Sequence, residues 1–319
     1  MLINLIKRKQ WFMFKVLLTS LVVSCVVAPL LVAARQGNQL PSDRIVFSWN
    51  RDGDYDLYLM DANVQQVVMP LTDNSASDVT PVWSPDGTHV ALASNVNGNN
   101  YEIYVLNPAT GESDVLTNNT WDDLYPAWSP DGKQIAFTSN RDSNWDIYVM
   151  DANGKNPQRL TTDPGYQGSP VWSPDGTRIA YVEGRDAKRD IMVMNADGSN
   201  VQPLTALATS ADYSPAWSPD GTQIAFVSTR SGNPDIFVVD ATCISSNSCD
   251  QVAVNLTSDN QGDDLDPAWR PDGQQLVFAS VRGSAKFSDL YLMDVTGANV
   301  TQITATDGDE RFPSWWHQG

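Results

Sequence analysis

The stretch PAWSPDGKQIAFTSNRDSNWDIYVMD, residues 126–151, decides the fold of this 319-residue chain. The segments IAFTS and DIYVM are rich in Ile, Val, Phe and Tyr, which is typical of short β-strands. The SPDG segment between PAW and IAFTS supplies the Pro, Asp and Gly that tight turns need. Together with PAW and the later QRLT, the pattern predicts four short strands, here called A to D, with no helical period between them.

This unit recurs along the chain. The tryptophan of the PxW segment returns every 44 to 52 residues, at Trp83, Trp128, Trp172, Trp217, Trp269 and Trp315. A period of this length indicates a solenoid, an array or a propeller, and four strands per period favour the propeller. We therefore predict an all-β chain folded as a six-bladed propeller with four antiparallel strands per blade.

The two ends of the repeat region complement each other. The first copy starts at strand B, residues 44–48, and has no PxW segment of its own. The last copy consists of strand A alone, at about residues 313–316. We expect the two pieces to pair in one blade, because closing the ring removes exposed sheet edges. The predicted organisation is an N-terminal segment (1–34), a linker (35–43) and the propeller (44–319).

The N-terminal segment has the layout of a secretory signal peptide. The run VLLTSLVVSCVVAPLLVAA, residues 16–34, is uncharged, follows a basic stretch and ends in small residues. An uncleaved anchor is the alternative, because 19 residues can just span a bilayer, and lipidation at Cys25 is a third reading. Each reading exports the propeller to the periplasm or the cell exterior, with membrane contact through this segment only.

Composition excludes several function classes. The formal charge of −18 argues against nucleic-acid binding, which needs a basic surface. Two histidines, His89 and His317, rule out a mechanism built on a histidine cluster. No GxSxG nucleophile turn is present. We therefore expect a protein that is not an enzyme.

Two cysteines lie in a polar insertion of blade 5, residues 241–254. Cys243 and Cys249 can close a small disulfide loop in an oxidising compartment, and two free thiols are the alternative. The insertion itself is interpreted either as a recognition loop or as a tolerated surface insertion.

A carboxylate precedes the PxW proline by three residues in five blades, and blade 4 has Gln167 instead. We predict that the five form a ring around one mouth of the central channel. They either cap their own loops or pair with a nearby arginine, or they bind Ca²⁺ or the basic part of a peptide. The five residues are Asp78, Asp123, Asp212, Asp264 and Glu310.

An arginine and an aspartate also recur in the B–C connections, usually five residues apart, and blade 2 lacks both. This joint absence suggests that they are partners, and we predict that each arginine braces its blade by holding the following aspartate. The predicted pairs are Arg51 with Asp56, Arg141 with Asp146, Arg185 with Asp190, Arg230 with Asp235, and Arg282 with Asp289.

The consensus PxWSPDGxxIAFxSxRxGxxDIYVMDxxG, spread over about residues 44–316, resembles the TolB-type propeller repeat, a WD-repeat-like family of bacterial envelope proteins. The resemblance implies a six-bladed platform for protein or ligand binding, and a periplasmic role with a peptidoglycan-associated lipoprotein as partner. The family's namesake carries an α/β domain ahead of its propeller, whereas here about ten residues separate the predicted signal from the first strand.

The leading hypothesis is thus an exported, monomeric, non-enzymatic binding platform with an acidic channel mouth. Its expected partner is an envelope protein or a basic peptide, and no cofactor is required. One alternative is a carbohydrate-active or other propeller enzyme that uses carboxylates, as in glycoside hydrolysis. Another is a scaffold that a Ca²⁺ ion in the channel stabilises.

Overall fold

The computed structural model describes residues 40–64, 68–98, 100–185, 188–246 and 249–318. Within these ranges the chain forms six antiparallel four-stranded sheets, which are the six predicted blades. The strands of blades 1 to 3 are β1 (Asp43–Trp49), β2 (Asp56–Asp61), β3 (Val68–Pro70), β4 (Asp78–Trp83), β5 (Val90–Ser94), β6 (Glu102–Leu106), β7 (Ser113–Val115), β8 (Asp123–Trp128), β9 (Gln134–Ser139), β10 (Asp146–Asp151) and β11 (Gln158–Arg159).

Blades 4 to 6 repeat the pattern, and the last strand returns to blade 1. These strands are β12 (Tyr166–Trp172), β13 (Arg178–Arg185), β14 (Lys188–Asn195), β15 (Gln202–Pro203), β16 (Asp212–Trp217), β17 (Gln223–Ser228), β18 (Asp235–Asp240), β19 (Val254–Asn255), β20 (Asp264–Trp269), β21 (Gln275–Ser280), β22 (Asp289–Asp294), β23 (Thr301–Gln302) and β24 (Glu310–His317). Blade 1 has the order β24-β1-β2-β3, so the predicted closure by the C-terminal strand is confirmed.

The core lies between the blades rather than in one central cluster. Strand B is buried on both faces because a neighbouring blade covers each side, and Phe137 and Phe226 are fully buried. These rings lie beside an aromatic residue of strand C, as Phe137 does with Tyr148 at 5.7 Å. Every blade therefore depends on its two neighbours for burial of its apolar surface.

A buried ion pair joins blade 1 to blade 6. The carboxylate of Asp43, only 2% exposed, accepts a hydrogen bond from Trp315 Nε1 of its own blade at 2.5 Å and another from Arg270 Nη2 of blade 6 at 2.9 Å. Arg270 stands where the other complete repeats have the serine of SPDG. The one departure from SPDG thus provides the cation that holds the first strand of the ring to the last complete blade.

Blade 1 meets blade 2 through a stacked arginine. The guanidinium of Arg44 lies 4.5 Å from the ring centre of Trp83 and 4.1 Å from that of Trp316, and it donates to the carbonyl of Gly87. Only glycine fits at position 87, because its φ is 67° and a β-carbon there would lie 2.1 Å from the Trp316 ring.

The blade 5 insertion forms a wedge between two blades. It consists of a 3₁₀ helix (Ala241–Ser246) and a short α-helix, α1 (Cys249–Val252), and a disulfide joins Cys243 to Cys249. Both cysteines belong to the buried apolar cluster shared by blades 4 and 5. Asp250 of α1 accepts a hydrogen bond from the backbone N–H of Ala206 in blade 4 at 2.8 Å and pairs with Arg230 at 3.1 Å.

We expect the Cys243→Ser, Cys249→Ser double variant to lose about 2 kcal/mol of unfolding free energy, the loop-closure value for a loop this short. Chemical denaturation at fixed pH measures the loss. Reduction of the wild type should reproduce it, whereas the reductant should leave the double variant unchanged. A double variant as stable as the oxidised wild type would contradict the prediction.

The predicted signal or anchor, residues 1–34, lies outside the described residues. None of the helices in the described ranges has the length and apolar character that crossing a bilayer requires.

Candidate functional site

A pocket of about 520 Å³ lies on the propeller axis. Its wall consists of the six innermost strands, β4, β8, β12, β16, β20 and β24, each of which contributes its PxW segment. The prolines and tryptophans of these segments make the wall largely apolar. Pro85, Pro174, Pro219 and Pro271, which begin the A–B turns, also line the pocket. The pocket therefore opens on the face that carries these turns, called the turn face below.

The floor of the pocket is the layer of residues that immediately precede the PxW prolines. At this position every strand A has a register shift against strand B, and the six non-glycine residues all have φ between 50° and 54°. Left-handed backbone at a non-glycine residue costs about 1–3 kcal/mol and is typical of binding sites. The floor residues are Thr80, Tyr125, Ser169, Ser214, Asp266 and Phe312.

One side of the floor is polar and the other is aromatic. Asp266 accepts hydrogen bonds from Arg311 Nε at 2.6 Å and from Ser214 Oγ at 3.2 Å. Burial lowers the pKa of Arg311, but the carboxylate of Asp266 outweighs this effect and raises it. Tyr125 lies edge-on to Phe312 with ring centres 6.3 Å apart, and burial raises the pKa of its hydroxyl to about 12. The floor thus carries a neutralised ion pair and two rings.

The turn face also carries the carboxylates of the SPDG turns, and four of them directly follow the prolines that line the pocket. In four of the turns a serine Oγ donates to the aspartate at 2.6 or 2.7 Å, and the backbone N–H two residues later donates as well. These bonds stabilise the ionised form, and together with the Lys133 ammonium at 3.0 Å they lower the pKa of Asp131 to about 2. The turn-face mouth is therefore acidic, with Asp86, Asp131, Asp175, Asp220 and Asp272.

The predicted ring of carboxylates occupies a different place. Its five members begin strand A at the opposite face, as expected, but each is at most 2% exposed. Their side chains lie within the blades and not in the channel. Asp123, for example, lies directly opposite Ser139 of strand B, which in turn lies opposite Asp146 of strand C. The five buried carboxylates are Asp78, Asp123, Asp212, Asp264 and Glu310.

The predicted arginine partners are also different. Arg141 Nη2 bonds both carboxylate oxygens of Asp123, at 2.9 and 3.0 Å, and its Nε bonds Ser139 Oγ at 2.9 Å. Arg230 bonds Asp212 at 3.0 Å, and Arg282 lies 3.7 Å from Asp264. These three arginines therefore brace their blades by holding the strand A carboxylate rather than the following strand C aspartate.

The strand C aspartates, which we predicted to hold the arginines, bond other partners instead. Asp146 is paired with Arg159 of strand D at 2.7 Å, and Asp190 with Lys188 at 3.1 Å. Asp56 accepts from Thr72 at 3.0 Å. Asp235 and Asp289 accept from side-chain amides, at 2.7 Å from Asn255 and 2.9 Å from Gln302.

Among the described residues, Arg51 has no carboxylate oxygen within 4.0 Å, and the predicted pair of Arg185 with Asp190 stays a prediction. Arg51 of blade 1 lies over the Trp49 ring, 5.5 Å from its centre. Blade 1 has Trp49 at the position where blade 3 has Ser139, the residue that Arg141 bonds. Arg185 lies at the end of β13, and its side chain is outside the described part of the structure.

The strand A carboxylates do not fit the predicted calcium site. Each is separately buried in its own blade and accepts hydrogen bonds there, as Glu310 does from Leu290 N at 3.1 Å and Thr306 Oγ1 at 3.0 Å. A calcium ion needs six to eight oxygens converging on one point. In the described residues, three carboxylate oxygens come within 4.8 Å of one another in blade 1, at Asp52, Asp56 and Asp73.

Sequence reasoning missed the pocket floor. A signal was present, because the floor position differs from blade to blade while the PxW segment directly after it repeats. A position that varies while the rest of the repeat stays constant does not need a particular residue for the blade to form. In a ring of equivalent strands such a position can carry specificity.

Six blades around an axial pocket that opens on one face define a β-propeller of the closed-ring type. The family model for the TolB beta propeller domain matches residues 96–210 and 162–261, together just over half of the chain. The chain therefore belongs to the TolB β-propeller family.

Individual relatives are similar over parts of their length. The protein TolB homolog of Chlorobaculum tepidum is 40% identical over 68 residues, which are 21% of this chain and 15% of the relative. TolB from Acinetobacter baumannii superposes with a TM-score of 0.75 at 25% identity, covering 86% of this chain and 66% of that one. An oligogalacturonate lyase in complex with manganese (TM-score 0.58, 17% identity, 84% and 76% covered) shares the fold alone. The chain thus spans less than two thirds of the first two relatives.

Proposed function

We propose that the propeller is a non-enzymatic binding platform of the bacterial cell envelope, and that its partner inserts a segment into the axial pocket from the turn face. The observation that carries this proposal is the combination of an apolar pocket with a rim of ionised carboxylates. The chain acts as a monomer and needs no cofactor for this role.

The chemistry of the pocket describes the partner. Proline and tryptophan walls favour an apolar tip, and the rim favours basic residues next to it. The segment is therefore an apolar residue flanked by Lys or Arg, carried by an envelope protein. Charge steering by the acidic rim should make the association faster at low ionic strength.

Binding is favoured over catalysis because the pocket lacks a poised acid or base. The strongly perturbed carboxyls, Asp56, Asp264 and Glu310, are buried inside blades, where they accept hydrogen bonds from serine and threonine. The carboxylate that lines the pocket, Asp266, is neutralised by Arg311. Export by the predicted N-terminal signal, and the family to which the chain belongs, support an envelope location.

Filling the pocket tests the proposal. Thr80→Phe places a ring on the floor at a backbone position where Phe312 already adopts the same φ, and Thr80 Oγ1 has no hydrogen-bond partner in the described residues. We expect this variant to fold and to capture the partner from a cell-envelope extract at least tenfold less well, as measured by quantitative mass spectrometry. Thr296→Phe, on an exposed C–D turn, is the matched control and should capture normally. Equal capture by Thr80→Phe and wild type would refute insertion into this pocket.

A further inference from the structure

A second pocket, of about 460 Å³, opens on the turn face between blades 4 and 5, away from the axis. Its inner wall is the start of strand B of blade 4, and its sides are the C–D turn of blade 4 and the A–B turn of blade 5. The outer wall is the beginning of the disulfide-bonded insertion, including Ala241 and Ile244. Because the other blades lack this insertion, the pocket is not a repeated feature of the ring.

A cation without a carboxylate partner lies at the inner end. The guanidinium of Arg178 is 4.7 Å from the ring centre of Trp217. It has no carboxylate oxygen within 4.0 Å and no hydrogen-bond acceptor among the described residues, in contrast to the paired Arg141 and Arg230. Its charge helps to lower the pKa of Asp175, whose carboxylate is already bonded to Ser173 and Thr177.

Comparison with blade 1 shows what is unusual about Arg178. Arg44 occupies the same position of the repeat and also lies on a tryptophan, but Trp316 covers its other side and two carbonyls accept its hydrogen bonds. At the position of Trp316, blade 4 has the small residue Ser173. The Arg44 guanidinium is therefore enclosed in blade 1, whereas the Arg178 guanidinium faces the pocket in blade 4.

An anion lines the same pocket. Asp240, at the end of β18, receives the backbone N–H of Thr242 on Oδ1 at 2.8 Å and the hydroxyl of Thr242 at 2.6 Å. Oδ2 accepts no hydrogen bond from the described residues. These bonds lower the pKa of Asp240, so the carboxylate is ionised at neutral pH. Asn195, Asn200 and Gln202 line the pocket as well, together with Val193, whose side chain belongs to the apolar cluster between blades 4 and 5.

We propose that this pocket binds an amino-acid-like zwitterion, either a free amino acid or a dipeptide. The carboxylate of the ligand pairs with Arg178, and its ammonium group pairs with Asp240 Oδ2. The amides bond the polar atoms between them, and the apolar wall receives a side chain. A simple anion fits less well, because Asp175 and Asp240 repel it, whereas a zwitterion meets an opposite charge at both ends.

The volume agrees with this class, since ligand pockets of about 300–1,000 Å³ hold small molecules. The site is separate from the axial pocket and does not depend on the function proposed for that pocket.

The chain itself supplies conservative variants. Blades 3, 5 and 6 have Gln134, Gln223 and Gln275 at the position of Arg178, so Arg178→Gln is compatible with the fold. Blades 2 and 4 have Asn107 and Asn195 at the position of Asp240, so Asp240→Asn is as well. Lys133→Gln and Asp294→Asn remove the same charges elsewhere and serve as controls.

Isothermal titration of the full chain with leucine and with alanyl-leucine is the test. We expect at least one of them to bind the wild type, Arg178→Gln and Asp240→Asn each to weaken binding at least tenfold, and the two controls to bind as the wild type does. Acetylation of the amine or amidation of the carboxyl group should abolish binding.

Three results would overturn the proposal. They are no binding of either compound at millimolar concentration, binding that both pocket variants leave unchanged, or equal binding of N-acetyl-alanyl-leucine, which would indicate a plain anion site. Thermal melting of each variant separates loss of binding from loss of fold.

Discussion

Asp123→Ala is expected to lower the free energy of unfolding by about 3–5 kcal/mol, the usual cost of breaking a buried ion pair by removing one partner. The carboxylate is fully buried and holds both Arg141 Nη2 and the amide of Asn119, at 2.7 Å. Without it, a guanidinium that is packed over Phe137 and Tyr148 has lost its counter-charge. Chemical denaturation followed by tryptophan fluorescence measures the difference.

The matched control is Asp114→Ala, on the exposed strand β7, which should change stability by less than about 0.5 kcal/mol. A double-mutant cycle with Arg141→Ala should give a coupling energy of at least 1 kcal/mol, because the two groups share two hydrogen bonds. If Asp123→Ala remained as stable as wild type but lost a bound cation or peptide, the strand A carboxylate would be a ligand group rather than a brace.

Almost the whole fold could be predicted from the sequence, because the spacing between copies of the repeat gives the length and the number of the blades directly. Strand order, blade number and closure all follow from where the PxW segment is present and where it is missing. These features depend on backbone pattern, which the sequence shows directly.

Side-chain direction at the site could not be read in the same way. The strand A carboxylates were placed at the correct end of the correct strand, but a register shift follows two residues later and turns the next side chains toward the axis. That shift makes Tyr125, and not Asp123, a floor residue. Neither the turn residues nor the spacing predicts this bulge, because its left-handed position is filled by Thr, Tyr, Ser, Asp or Phe and not by glycine.

Blade 2 shows why the partner of the arginine could not be identified from the sequence. Blade 2 lacks the arginine and has Glu102 for the strand C aspartate, yet it keeps Asp78, the residue that the arginine holds in other blades. There Val96 stands in place of the arginine, and Asn74 Nδ2 still bonds Asp78 at 2.8 Å, as Asn119 Nδ2 bonds Asp123 beside Arg141 in blade 3. A correlation among five copies cannot separate two carboxylates that both lie near one arginine, whereas a distance can.

The buried carboxylates also predict how stability depends on pH. Burial raises the pKa of Glu310 to about 7 and those of Asp56 and Asp264 to about 6. Because these values exceed those of the unfolded chain, the folded state binds protons more tightly. The resulting stabilisation is fully present below the unfolded pKa, near 4, and is lost as the pH rises through 6 to 7.

We therefore expect the free energy of unfolding to fall between pH 5 and pH 8, by about 3 kcal/mol from Glu310 alone. Thermal melting across this range, in buffers of equal ionic strength, should show a lower Tm at pH 8 by roughly 5–10 °C. Glu310→Gln cannot ionise but keeps an oxygen for Leu290 N–H, so its curve should be flatter and should meet or exceed the wild type at pH 8. Asp114→Asn, an exposed carboxylate, should leave the shape unchanged. A wild-type Tm that rises from pH 5 to pH 8 would mean that the buried carboxylates are better stabilised as anions than their surroundings indicate.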